Sequence, residues 1–283
     1  TQVSLRTRFT FLNYLSINPS FTHDFESLDD RLTRGGPLAQ KPAGNSASLW
    51  VLTDFTKPYS AKFSYRRSWD QSGGSRTNYS VRMGLKPAST WELSLGPNLS
   101  INESPAQYVS RVEDPQAAST FGDRYVFADL EQTTLSMETR LNVTFTPDLT
   151  LELFAQPFLA SGDYGTLKEL SAPRTFDFDS YGIEIGEIQE DEEGDFLIDP
   201  DGDGPAESFT ISDRDFNRVS LRSTAVVRWE WRPGSTLFLV WQQSRSDNIT
   251  NGGHFDLSRD TGAMFHARPD NIFMFKVTYW IGS

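Results

Sequence analysis

The sequence predicts an all-β chain folded as an antiparallel up-and-down transmembrane β-barrel. Three observations predict it: apolar and polar side chains alternate with period two over many segments, proline turns alternate with long polar connections, and aromatic residues gather beside the proline turns.

Composition by itself hides this pattern. The 283 residues are 37% hydrophobic and 13% aromatic, with a mean hydropathy of -0.47. A strand with one face to lipid and one to water averages to near neutrality, so such values do not exclude a barrel. They do exclude helical spans, because no stretch approaches the ~20 consecutive apolar residues a helix needs to cross a bilayer. A formal net charge of -12 argues against nucleic acid as a partner, since phosphate binding requires a basic face. The absence of cysteine removes disulfides, thiolate metal sites and a thiol nucleophile together. Thr1 is followed by neither a basic nor an apolar leader, so either a signal peptide has been removed or the chain begins inside a longer protein.

Proline presets the φ of a tight turn and cannot continue a central strand. Lys57-Pro58-Tyr59, Lys86-Pro87-Ala88, Thr146-Pro147-Asp148 and Arg232-Pro233-Gly234 therefore mark short reversals. Between them lie segments rich in Gly, Asp, Ser and Asn near 18–45, 70–77, 102–120, 161–217 and 247–270, which predict long loops on the opposite side. Residues 106–128 could add a hairpin projecting outside. The strands are expected near 3–17, 46–57, 59–69, 77–86, 89–101, 130–146, 149–160, 218–231, 235–246 and 271–281, about ten in all. That even count would put both chain ends on the short-turn side.

Within 131–146, Thr133, Leu135, Met137, Leu141, Val143 and Phe145 share one face, while Gln132, Ser136, Glu138, Arg140 and Asn142 share the other. Segments 59–68, 79–86 and 220–231 repeat this, whereas 46–57, 149–160 and 235–246 fit it less well. The polar positions predict a lumen lined by Arg66, Arg82, Glu138, Arg140, Glu152, Arg222, Arg228 and Glu230, of mixed sign, in which opposite charges pair across neighbouring strands. Tyr59, Trp91, Trp229, Trp231, Tyr279 and Trp280 all lie near a proline turn or the C-terminus, where a girdle at the membrane boundary is expected. A soluble sandwich would also alternate, but its loops would be of more equal length.

The run from Phe216-Asn217-Arg218 to Leu221-Arg222, followed by Val227-Arg228-Trp229-Glu230-Trp231-Arg232-Pro233-Gly234 and Leu237 to Trp241, resembles the C-terminal barrel of the proteins grouped as domain of unknown function 5916. Asp199 to Ala206 and the final segment Asn271 to Trp280 agree with it. The resemblance implies an exported bacterial protein in which a carbohydrate-binding-like domain precedes a large outer-membrane barrel. It also implies that the first strand lacks its natural neighbour here.

Two constellations could carry chemistry. Asp199, Asp201 and Asp203, followed by Gly204, have the opening spacing of a calcium loop, but position twelve is Thr210 and only Glu207 could complete the set. The alternative is a solvated acidic loop with Asx turns. His254 with Asp256 and Asp260 could form an acid/base group at the barrel rim, although no Gly-x-Ser-x-Gly or His-Glu-x-x-His motif is present. The expected function is a passive pore, or the membrane part of a surface transport system, in a bacterial outer membrane, with membrane lipid as partner and no cofactor beyond a calcium ion in the acidic loop. The alternatives are a filled barrel whose loops bind a polysaccharide or a partner protein, and a rim hydrolase.

Overall fold

The alternating segments form one antiparallel ladder in the computed structural model, which describes residues 1–192, 194–250 and 253–281. Eleven strands neighbour one another in chain order: β1 (Gln2–Arg6), β2 (Ser16–Asp24), β3 (Gly44–Leu52), β4 (Tyr59–Asp70), β5 (Ser75–Ala88), β6 (Trp91–Glu113), β7 (Asp123–Thr146), β8 (Leu149–Leu170), β9 (Phe216–Arg232), β10 (Ser235–Asn248) and β11 (Asp270–Thr278). Every neighbouring pair is antiparallel, as an up-and-down order requires. The proline turns and the reversal after β1 lie on one side of the sheet, and the long connections on the other.

Three expectations need correction. Segment 3–17 is not one strand, because the chain reverses between Thr7 and Leu15. Tyr14 takes a positive φ of 63° there, and the Asn13 carboxamide accepts from the Leu15 N–H at 3.2 Å. No Gly or Pro announces this turn. Pro19 sits inside β2, where it lacks an N–H to donate, and the edge strand opposite is interrupted at Thr7 and Arg8. With eleven strands instead of ten, Thr1 starts on the long-loop side and β1 runs in the same direction as β11. Closing the sheet by joining them would demand a parallel pair in an otherwise antiparallel ladder. Among the described residues they do not pair, so the sheet is open with two edges and is not a closed barrel.

The long connections also hold more structure than their composition announces. The turn after β4 is tight, with the Asp70 carboxylate accepting from the Ser72 and Gly74 amides at 3.0 and 2.9 Å. β2 and β3 extend into 18–45, and β6 continues through Glu113, so most of 102–120 is strand. β6, β7 and β8 have 23, 24 and 22 residues against 12 in β4, and their far halves carry an external layer. There a small sheet of Glu187–Glu190, Phe196–Asp199 and Phe209–Ile211 packs Ile198 and Ile211 against Val126, Ala128 and Leu167. Segment 247–270 contains α1 (Leu257–His266), capped by the Asp256 carboxylate, which accepts from the Arg259 N–H at 2.7 Å. Its Met264 is buried against Leu159 and Val219.

Gly234 closes the β9–β10 turn at a φ of 76°, and a Cβ there would lie 2.9 Å from Cβ of Trp280. Gly234→Ala is therefore expected to destabilise the fold by about 1–2 kcal/mol through left-handed backbone strain. A lowered urea midpoint for unfolding from detergent micelles would register it, and an unchanged midpoint would refute it.

Candidate functional site

Directly opposed residues in antiparallel strands point to the same face, so the register divides the sheet into two surfaces. One carries Arg6, Ser20, Ser48, Arg66, Asn78, Ser100, Thr134, Ala160, Arg218 and Asn248, each opposed to the next along the ladder. In the shared span of the strands every position on this face has an even number. Arg66, Arg82, Glu138, Arg140, Glu152, Arg222, Arg228 and Glu230 all belong to it. Three of its carboxylates are paired: Glu138 with Arg140 at 2.8 Å, Glu230 with Arg228 at 2.8 Å and Glu92 with Lys86 at 3.5 Å.

The odd-numbered face is apolar. On β6 it runs through Trp91, Leu93, Leu95, Pro97, Leu99 and Ile101, and on β8 through Leu149, Leu151, Leu153, Ala155, Pro157 and Leu159. It stays open to its surroundings near β11, where Phe273 is 77% and Phe275 68% exposed. From Trp91 to Ile101 the apolar band spans about 33 Å of strand at ~3.3 Å per residue, or about 25 Å in height at a tilt of roughly 40°. One margin of the band is aromatic. Tyr59, Trp91 and Trp229 occupy odd positions at the short-turn ends, the Trp231 ring lies 6.4 Å from that of Trp229, and the Tyr279 hydroxyl accepts from Arg232 at 2.7 Å. Trp280 donates its backbone N–H to Ser235 Oγ at 3.1 Å. The other margin is acidic, with Glu103, Glu131 and Asp163 on adjacent strands in register. Beside it, α1 covers Leu159 and Val219, and Leu135 and Leu221 pack against the same cluster.

The long-loop end of the polar face has a roof. The connection 25–43 leaves β2 and reaches the far halves of β6 to β8: Gln40 N–H donates to Thr175 O at 2.9 Å and Arg174 N–H to Leu38 O at 2.7 Å. Ala39 is fully buried among Ala106, Tyr125, Phe127 and Leu170. Beneath this roof is a cleft of about 400 Å3 whose lining includes Asp24, Ser46, Ser68, Arg76 and Asn102 from the polar face. A groove of about 530 Å3 shares Ser68 and Arg76 with the cleft and continues down the face past Arg66, Ser64 and Lys62 to Trp50. Trp50 and Arg76 had no place in the sequence-based lining. Trp50 lies in a segment that alternates poorly, and Arg76 lies in one whose composition predicts a loop.

The remaining sequence-based candidates are arranged differently than expected. Asp199 Oδ1 accepts from the Asp201 and Gly202 amides at 3.3 and 2.9 Å, and Asp201 Oδ2 accepts from the Ala206 amide at 3.0 Å. These carboxylates, with Asp203 and Glu207 exposed beside them, shape a turn. Among the described residues no three His, Asp or Glu side chains converge as a metal would need. His254 contacts Asp163 at 3.0 Å instead of Asp256 or Asp260. Asp256 caps α1, and the buried Asp260 carboxylate accepts from Asn217 and Arg259 at 3.0 and 2.9 Å.

The family described as Domain of unknown function (DUF5916) matches residues 1–282. The chain belongs to this family. No curated protein matches it. Among solved structures it is similar to the NanC porin, at 8% identity and a TM-score of 0.27, over 99% of this chain and 93% of that one.

A buried charge network holds the external layer. Arg124 donates to Asp114 at 2.6 Å and to both oxygens of Glu169 at 2.7 and 2.8 Å, while the Tyr181 hydroxyl donates to Glu169 at 2.6 Å. Burial opposes the Arg124 charge, but the bonds to Glu169 and Asp114 outweigh it and raise its pKa. Burial, reinforced by the Glu169 charge, pushes the Tyr181 hydroxyl well above the ordinary tyrosine range. Arg124→Met leaves two carboxylates without their cation and is expected to loosen the layer by about 3 kcal/mol, seen as faster proteolysis within 171–215. Because folded Tyr181 keeps its proton where an unfolded tyrosine loses it, stability of the layer should fall as pH rises beyond about 10. Tyr181→Phe should reduce that alkaline loss, leaving only the smaller part that burial of Tyr125 contributes, and an undiminished loss would refute the assignment.

Proposed function

We propose that the sheet is the wall of a bacterial outer-membrane barrel acting as a passive pore, or as the membrane part of a surface transport system. Its odd-numbered face meets acyl chains and its even-numbered face lines a water-filled path. The observation that carries this reading is the opposite chemistry of the two faces, kept in register along the ladder and sharpest on β4 to β7, whereas on β8 to β11 the even-numbered face also carries Phe154, Val226, Val240 and Met274. Greasy residues stay exposed where a soluble sheet would cover them with a second layer. The band height, the aromatic margin at the short turns and the acidic margin at the loops support a lipid boundary at each. The reading calls on no cofactor and no catalytic group.

A second reading draws on the external layer, which has its own apolar cores around Ile198 and Phe127. In it the membrane sheet anchors that layer for binding a polysaccharide or a partner protein. Single-channel recording of the full-length protein in a planar bilayer separates the two. Ohmic conductance steps are expected, whereas silence from protein shown to be folded would favour the anchor. Both readings fall if the protein stays folded and monodisperse in buffer without detergent or lipid.

A further inference from the structure

Charge on the polar face is segregated, which its sequence order does not announce. On this face Glu92, Glu138, Glu152, Glu230 and Asp270 lie on β6 to β11, and Asp24 and Asp70 stand at the loop ends of β2 and β4. β4 and β5 instead bring Lys62, Arg66, Arg76 and Arg82 onto one surface. Lys62 and Arg82 are directly opposed, a like-charge pairing that destabilises a bare sheet. None of the four makes an ion pair or side-chain hydrogen bond among the described residues. The Lys62 ammonium lies over the Trp50 ring at 4.7 Å. The groove bordered by Lys62, Arg66 and Arg76 offers hydroxyls from Ser64 and Ser68, the Asn78 carboxamide and the indole, and no carboxylate, while Arg82 opens on a neighbouring hollow with Glu138. All this occurs in a chain of net charge -12, so the excess of cations is local and set by placement.

We propose that this groove binds and passes small anionic solutes, carboxylates and phosphates, with Lys62, Arg66 and Arg76 as their ligands and Arg82 adding positive charge from the strand position opposite Lys62. Guanidinium forks match the paired oxygens of both groups, and an arriving anion relieves the repulsion between Lys62 and Arg82. The groove meets the roofed cleft at Ser68 and Arg76, where Asp24, Asp29, Asp70 and Glu103 line the cleft, so the anion site is confined to the stretch from Arg76 to Lys62. The inference rests on the reading of this face as the lining of a water-filled path.

Two measurements on the full-length protein test it separately from that reading. Under a potassium chloride gradient in a planar bilayer, the reversal potential should report preference for chloride. Arg66→Glu with Arg82→Glu should turn the preference toward potassium, and a channel that prefers cations or neither ion overturns the proposal. In detergent micelles, the fluorescence lost on Trp50→Phe isolates Trp50. Iodide should quench that component several-fold more than caesium, and inorganic phosphate should protect it more than chloride at equal ionic strength. Arg66→Gln with Arg82→Gln should bring the two quenchers together. Equal quenching in the native protein overturns the anion site, and equal protection by chloride and phosphate overturns its ligand class. Iodide-selective quenching without conductance would keep the anion groove while removing the pore.

Discussion

Everything in this molecule depends on register. Side chains alternate along a strand with period two, so a slip of one residue in any of the ten pairings would carry that strand's charges to the apolar face and its aliphatic groups to the polar one. The ladder holds phase from Arg6 to Lys276 because the turns between strands keep the even positions on one side. Backbone pairing and side-chain sorting are thus one constraint. A ladder that satisfies the N–H and C=O groups of nine inner strands also creates two surfaces of opposite character. The same logic makes β1 and β11 the exposed points of the structure, since each has one row of backbone groups with no partner in the sheet. An apolar medium does not tolerate such a row.

Above the apolar band the physics changes. β6 to β8 continue past Glu103, Glu131 and Asp163, and there both faces of the strands are covered by protein. Charge inside this layer has to be paired, which Arg124 achieves by placing its guanidinium between Asp114 and Glu169. Charge on the polar face below is solvated and need not pair, and so Lys62, Arg66, Arg76 and Arg82 persist side by side. Two treatments of charge within one chain mark two environments. The roof formed by 25–43 joins them, because it packs into the external layer while lying over the polar face of β3 to β6.

Much of the fold is legible in the residues. Leu135, Met137 and Leu141 against Ser136, Glu138 and Arg140 fix a strand and its two faces without any structure, and Pro58, Pro87, Pro147 and Pro233 locate four reversals. Illegible features share a cause: their signals are side-chain packing or unusual backbone, which composition does not report. The turn at Asn13-Tyr14 lacks Gly and Pro. The far halves of β6 and β7 resemble a loop because their polar residues pair across strands, as Arg111 does with Asp123 at 2.9 Å. Helix α1 escapes notice because its ten residues carry a single buried apolar side chain, Met264.

By itself the sequence determined the period, the chemistry of the faces on the well-alternating strands and the positions of the four proline turns, since these are local consequences of side-chain type and proline geometry. Only the tertiary structure decided the number of strands, the open edges, the partners of Asp199, Asp256 and His254, and the neighbours of each charge on the polar face. The strand count, the edges and the charge neighbours across strands depend on residues distant along the chain coming into register, so that Lys62 meets Arg82 and His254 meets Asp163. A list of polar positions with mixed signs therefore became, once paired, a basic groove beside a wall on which Arg140 and Arg228 neutralise Glu138 and Glu230.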